Sequence, residues 1–146
     1  MKNSIVEKID HIGIAVKNLE QGNLFYKKLL GKAHYKVEHV ENEGVNTSFF
    51  KLGESKVELI EDTTGDSAIA KFLKNNGEGL HHVAYGVDDI KVEMKRLKEE
   101  GFTLIDEEPR RGADNKWVAF VHPKSSGGIL IELCQDVLTP DLPERD

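Results

Sequence analysis

Cysteine is nearly missing: Cys134 stands alone, which excludes an intrachain disulfide and leaves that residue to be read as a small apolar core side chain. Long hydrophobic runs are missing as well, and no basic-plus-apolar leader opens the sequence. Neither a membrane span nor a secretory signal is therefore expected, and the reading is a soluble, cytoplasmic protein. Positive charge is in deficit. The net charge of −6 argues against nucleic acid as the main partner, while local lysines and arginines still permit an anionic small molecule.

What is present is a repeat. Ile9-Asp10-His11-Ile12-Gly13-Ile14-Ala15-Val16 is echoed by Leu80-His81-His82-Val83-Ala84-Tyr85-Gly86-Val87, and Lys56-Val57-Glu58-Leu59 by Leu130-Ile131-Glu132-Leu133. Each half thus carries a histidine on an early strand and a glutamate on a late one, 47 residues apart in the first (58 − 11) and 50 in the second (132 − 82). In the early strands, alternation puts Ile12, Ile14 and Val16 on one face and His11, Gly13 and Ala15 on the other. The repeat keeps that parity, with His82, Ala84 and Gly86 opposite Val83, Tyr85 and Val87. A face with one histidine and otherwise small residues is suited to the floor of a cavity. By the same parity His81 falls on the far face and reads as structural.

Around these strands the pattern is βαβββ, a connecting helix, then βαβββ, an α+β layer structure whose twisted sheet curls around a shared, metal-containing cavity. The first module covers about 8–61. Asn18 caps its helix, Leu19, Phe25, Tyr26, Leu29 and Leu30 form the apolar stripe, and Gly31 ends it. Strands follow near 33–40, 45–52 and 56–61. A connecting segment at 62–79 holds a short helix around Ala68, Ile69, Phe72 and Leu73. The second module covers about 80–135, with Asp88 as the cap, Ile90, Met94 and Leu97 as the stripe, Gly101 as the stop, and strands near 103–107, 116–122 and 128–135. A flexible tail is expected over 136–146.

Two imidazoles and two carboxylates suit a divalent ion: zinc, cobalt, nickel, manganese or iron. The ligand set His11, Glu58, His82 and Glu132 contains no thiolate, so a closed structural zinc site is not expected. Positions left open for substrate make the site catalytic, with the ion acting as a Lewis acid. Glu132 lies inside the apolar run Ile129–Leu133, where an unpaired carboxylate is costly to desolvate. Glu58 lies in a similar run, flanked by Lys56 and Glu61.

These residues carry a resemblance. His11, Glu58, His82 and Glu132 on paired βαβββ modules resemble the vicinal oxygen chelate (glyoxalase/bleomycin resistance/dioxygenase) superfamily. The segments Gly79-Leu80-His81-His82-Val83-Ala84-Tyr85, His122-Pro123-Lys124 and Gly127-Gly128-Ile129-Leu130-Ile131-Glu132-Leu133 are similar to the methylmalonyl-CoA epimerase family. The likeness spans about Ile9 to Gln135. It implies interconversion of the (2R) and (2S) forms of methylmalonyl-CoA through an enolate, with cobalt or zinc, nickel or manganese bound, and a homodimer acting on an acyl-CoA with neither nucleic acid nor membrane as partner.

One departure stands out. Some members place a glutamate base on the third strand, and this sequence has no carboxylate there, near Thr47. Epimerisation uses a proton acceptor on one face of Cα and a donor on the other. Glu58 and Glu132 are the expected catalytic pair, doubling as ligands, with Glu43 a further candidate if its loop shifts. Lys124, Lys116 and Arg111, with neighbouring Arg110, are candidates for the CoA phosphates, against the alternative of a solvated charged loop. Two rival readings share the fold. One is a glyoxalase I-type lactoylglutathione lyase, which Glu58 favours but the missing Asp-Pro-Asp-Gly turn opposes. The other is a metal-free small-molecule binding or resistance protein.

Overall fold

The computed structural model describes residues 5–137. Two strands, β1 (Val6–Ala15) and β5 (Gly79–Val87), run antiparallel through the middle of one eight-stranded sheet. Each is flanked by the last strand of its own half. β4 (Ser55–Asp62) lies parallel to β1, and β8 (Ile131–Asp136) lies parallel to β5. Outside these come β3 (Val45–Leu52) and β2 (Lys36–Val40) on one side, β7 (Lys116–Val121) and β6 (Arg110–Gly112) on the other. The spatial order β2-β3-β4-β1-β5-β8-β7-β6 is the duplication foreseen from the repeat, and the α+β class holds.

Helix α1 (Leu19–Leu30) packs on the bulky face of β1. Ile12, Ile14 and Val16 meet Leu19, Tyr26 and Leu30 over Phe50, Val57 and Leu59. Full burial of side chains such as Phe50 and Leu59 contributes about 1.5–3 kcal/mol apiece. Asn18 caps α1 by accepting from the Gln21 N–H, and Gly31 ends it in the left-handed region, both as the sequence indicates. The stripe differs from expectation. Phe25 and Leu29 are exposed, and Gly22 fills the inward position, close against Val16 and Leu59. At 100° per residue, positions 19, 22, 26 and 30 span about 80°, and 29 and 25 lie about 20° and 60° beyond the edge marked by 22, on the side turned to solvent.

Helix α2 (Ala68–Asn76) is the connecting helix, capped by Ser67. Helix α3 (Ile90–Glu99) covers the second half, with Ile90 and Met94 packed on Val87, Trp117 and Leu133. Its cap is Asp89 rather than the expected Asp88: the Asp89 carboxylate accepts from the Val92 N–H at 3.2 Å. The strand expected at 103–107 shrinks to a single bridge between Leu104 and Val121. There the Asp106 side chain takes the Phe120 N–H, displacing the ladder bond, and Pro109 offers no donor. Pairing resumes only at β6. Asp136, expected to begin a loose tail, is the last residue of β8 and pairs with Lys116. Residues 138–146 of that expected tail lie outside the described residues.

The sheet curls until its outermost strands nearly meet. They join through side chains instead of a ladder. Lys36 and Lys56 both bind the Asp114 carboxylate at 2.6 Å, Glu38 accepts from the Asp114 N–H at 2.9 Å, and Arg110 reaches Glu43 at 2.8 Å. Among the described residues no helix is long and apolar enough to cross a membrane.

Candidate active site

The curl encloses a cavity of about 480 Å³ between the two halves. From β1 and β5 its floor takes His11, His81 and His82, whereas the small residues expected there, Gly13, Ala15, Ala84 and Gly86, do not line it. The register sets His11 opposite Ala84 and His82 opposite Gly13. Each imidazole therefore lies over a small residue of the other half. The space is tight: a Cβ on Gly13 would fall 2.1 Å from the His82 Cε1. The glutamates occupy matching places, Glu58 beside Gly13 on β4 and Glu132 beside Ala84 on β8.

Three of the four expected ligands converge. His11 Nε2 and His82 Nε2 are 3.1 Å apart, with the rings nearly perpendicular. Glu132 Oε1 lies 3.1 Å from His82 Nε2 and 3.7 Å from His11 Nε2. All three side chains are buried, and their ligand atoms fall within 4.8 Å of one another. Two imidazole nitrogens and a carboxylate oxygen are suitable donors for a divalent ion, so the residues fit the cation the sequence implies. Glu58 is placed differently. Its Oε2 meets the other ring nitrogen of His11, Nδ1, at 3.2 Å, and it stands outside the three-residue cluster.

The electrostatics separate the two glutamates. Burial would raise the Glu132 carboxyl, but hydrogen bonds and charge from His11 and His82 outweigh it and hold it well below the usual carboxylate range. Burial pushes the Glu58 carboxyl up to about 7, with the Glu132 charge adding to the rise and His11 opposing it. Burial alone would lower the His11 imidazole; Glu58, Asp10 and Glu132 reverse this and bring it to about 10. In the metal-free protein His11 therefore carries a proton at neutral pH, which a divalent cation displaces.

The family model of the Glyoxalase/Bleomycin resistance protein/Dioxygenase superfamily matches residues 10–120. An ethylmalonyl-CoA/methylmalonyl-CoA epimerase of Cereibacter sphaeroides is 38% identical over 133 residues, covering 90% of this chain and 99% of that protein. The mitochondrial methylmalonyl-CoA epimerase of Bos taurus is 40% identical over 129 residues, 88% of this chain and 74% of the bovine protein. A Streptomyces coelicolor methylmalonyl-CoA epimerase, solved in complex with 2-nitronate-propionyl-CoA, superposes with a TM-score of 0.88 at 35% identity, covering 92% of this chain and 97% of that one. The chain belongs to the methylmalonyl-CoA epimerase family of this superfamily.

In this epimerase-family chain, several cavity residues escape the sequence reading. His81 was expected on the far face, yet it lines the cavity and its Nδ1 lies 2.9 Å from His82 Nδ1. The cause is a bulge. Gly13 pairs with His82 but Ile14 with Leu80, so His81 is an extra residue on β5 and the alternation slips there. Burial, with His82 beside it, brings the His81 imidazole down to about 4. Asp10 is the extra residue on β1, between the pairs Ile9–Tyr85 and His11–Ala84. A polar residue directly before the histidine in both copies of the repeat was the available signal for the pair. Glu43, the further candidate named from the sequence, does line the cavity, its carboxyl raised by burial and restrained by Arg110. Thr47 sits in the wall without a carboxylate.

The expected CoA contacts fare unevenly. Lys116 is buried at 8% exposure, its ammonium held between Asp10 and Asp136, so it is a core ion-pair partner and does not face a phosphate. Arg111 stacks over Trp117 at 4.6 Å and donates to Asn115. Lys124 is exposed, and its backbone N–H donates to His122 Nδ1, so His122 fixes the turn before β8. None of the three lines the cavity, whereas Arg110 does.

Proposed function

We propose that the protein interconverts (2R)- and (2S)-methylmalonyl-CoA by removing the Cα proton and returning one to the opposite face. The observation that carries this reading is the placement of one glutamate from each half at matching positions beside a joint cluster of two imidazoles. His11, His82 and Glu132 would hold a divalent cation, with cobalt the first choice and zinc, nickel or manganese the alternatives; Glu58, at the other ring nitrogen of His11, serves the proton steps. When bound, the cation supplies Lewis acidity toward the charge that develops on the thioester oxygen.

The proton steps belong to the glutamates. An ionised Glu132 accepts the Cα proton, the C–H electron pair moves into the thioester carbonyl, and protonated Glu58 donates to the opposite face of Cα. The reverse turnover exchanges the roles. Near neutral pH Glu58, which titrates near 7, is protonated in about half of the molecules while Glu132 stays ionised, so one donor and one acceptor coexist in that fraction.

The measurement is deuterium incorporation at Cα of methylmalonyl-CoA in deuterated water, with and without a chelator. Exchange that a chelator abolishes and cobalt restores supports the reading. Thioester formation from methylglyoxal and glutathione, with no exchange, would replace it by a lyase. A protein inert to both and unable to take up cobalt would be a binder. A cytoplasmic homodimer is the expected assembly, supported by the apolar surface that Leu24, Phe25 and Leu29 leave exposed on α1. Light scattering on the eluted protein tests the dimer.

A further inference from the structure

We propose that Asp10 is a positioning residue: it fixes the tautomer and ring plane of His11, so that Nε2 presents its lone pair to the shared cation position. The inference rests on the cation-binding part of the reading above. Asp10 is 2% exposed, and its Oδ2 accepts from His11 Nδ1 at 2.9 Å. Glu58 approaches the same nitrogen at 3.2 Å, but the aligned hydrogen bond goes to Asp10. An imidazole that donates through Nδ1 has its lone pair on Nε2, the atom that faces His82 and Glu132.

Asp10 is itself immobilised. Lys56 from β4 places its Nζ 3.4 Å from Oδ2, and Lys116 from β7 places its Nζ 3.4 Å from Oδ1. Both ammonium groups are buried, and each has a second acid, Asp114 for Lys56 and Asp136 for Lys116. Each carboxylate oxygen thus has at least one cationic neighbour, one supplied by each half of the sheet. The bulge makes this possible. On a regular strand residues 10 and 11 would face opposite ways, whereas here both are buried. A merely structural role would require only that Asp10 balance two lysines. The aligned bond to His11 is what goes further.

Cobalt titration followed by visible absorption tests the assignment on wild type and Asp10→Asn. We expect Asp10→Asn to weaken cobalt binding about 10–100-fold and to shift the absorption band. Binding within twofold of wild type, with an unchanged band, would reduce Asp10 to a lysine partner. Should Asp10→Asn fail to fold, the zinc-loaded wild type decides alone. A histidine-selective nitrogen–proton spectrum is expected to show a slowly exchanging proton on His11 Nδ1. A proton on Nε2 instead overturns the proposal. Neither readout needs turnover, so lost Cα exchange with normal cobalt binding sinks only the epimerase reading. A wild type that takes up no cobalt overturns the cation reading and this inference together.

Discussion

The two halves of the sheet build the same frame and then equip it differently. In both, the residue before the inward histidine is bulged from the central ladder and meets that histidine at Nδ1. The first half supplies a carboxylate, Asp10, clamped by two buried lysines. The second supplies another imidazole, His81, packed edge-on against Phe72 of α2 and open to the cavity. The glutamates diverge in the same way, Glu58 titrating near 7 and Glu132 far lower. Duplication fixes positions; the neighbours of each copied residue set its chemistry. A reaction that takes a proton from one side and returns it on the other needs that combination, equal reach with unequal acidity.

The sharpest way to break the comparison is to neutralise each glutamate in turn. Glu132→Gln is expected to lower both turnover and cobalt affinity, and Glu58→Gln to lower turnover by about 10²–10⁴-fold while cobalt still binds. Isotope exchange and metal titration on the same preparations separate the two. Full two-way Cα exchange in Glu58→Gln would remove Glu58 from the proton steps. Next in size is the space beside His82. Gly13→Ala places a methyl into the His82 ring, so cobalt affinity should fall more than tenfold, whereas Ala84→Gly at the matching position should change it little.

A smaller effect is expected from pH. The folded His11 value near 10 lies above its ordinary 6.5, so its stabilising contribution is complete below pH 6.5 and lost as pH rises through 10. Glu58 is also raised, from 4.5 to about 7, so its contribution is lost between those values as pH rises. The metal-free protein should therefore melt on the order of 5 °C lower at pH 9.5 than at pH 6.5, and His11→Gln should flatten that slope. Smallest are the helix caps. Asn18→Ala and Asp89→Ala should each cost about 1 kcal/mol in denaturant melts.

Much of this was legible in the chain. The repeat announced two like modules around a shared cavity, and the pairing of β1 with β5 that joins them comes from the structure. The small residue Gly13 makes room for the His82 ring, since a side chain there would collide with it. The unread part has physical causes. A bulge leaves no mark on a hydrophobic pattern, so His81 was assigned to the wrong face and Asp10 passed without notice. Lys116 stands among the candidates for the CoA phosphates because its ion-pair partners, Asp10 and Asp136, come from other segments of the chain. Asp106 replaced a ladder bond by a side chain, which dissolved a strand that Thr103, Leu104 and Ile105 otherwise favoured.

The closure of the sheet has one further result. Its outermost strands are fastened by charged side chains, among them the half-exposed pair Arg110–Glu43, while its middle is fastened by main-chain bonds. Surface ion pairs are weakened by salt and peptide ladders hardly at all. The rim of this bowl thus loosens with ionic strength, and the base yields only to heat or denaturant.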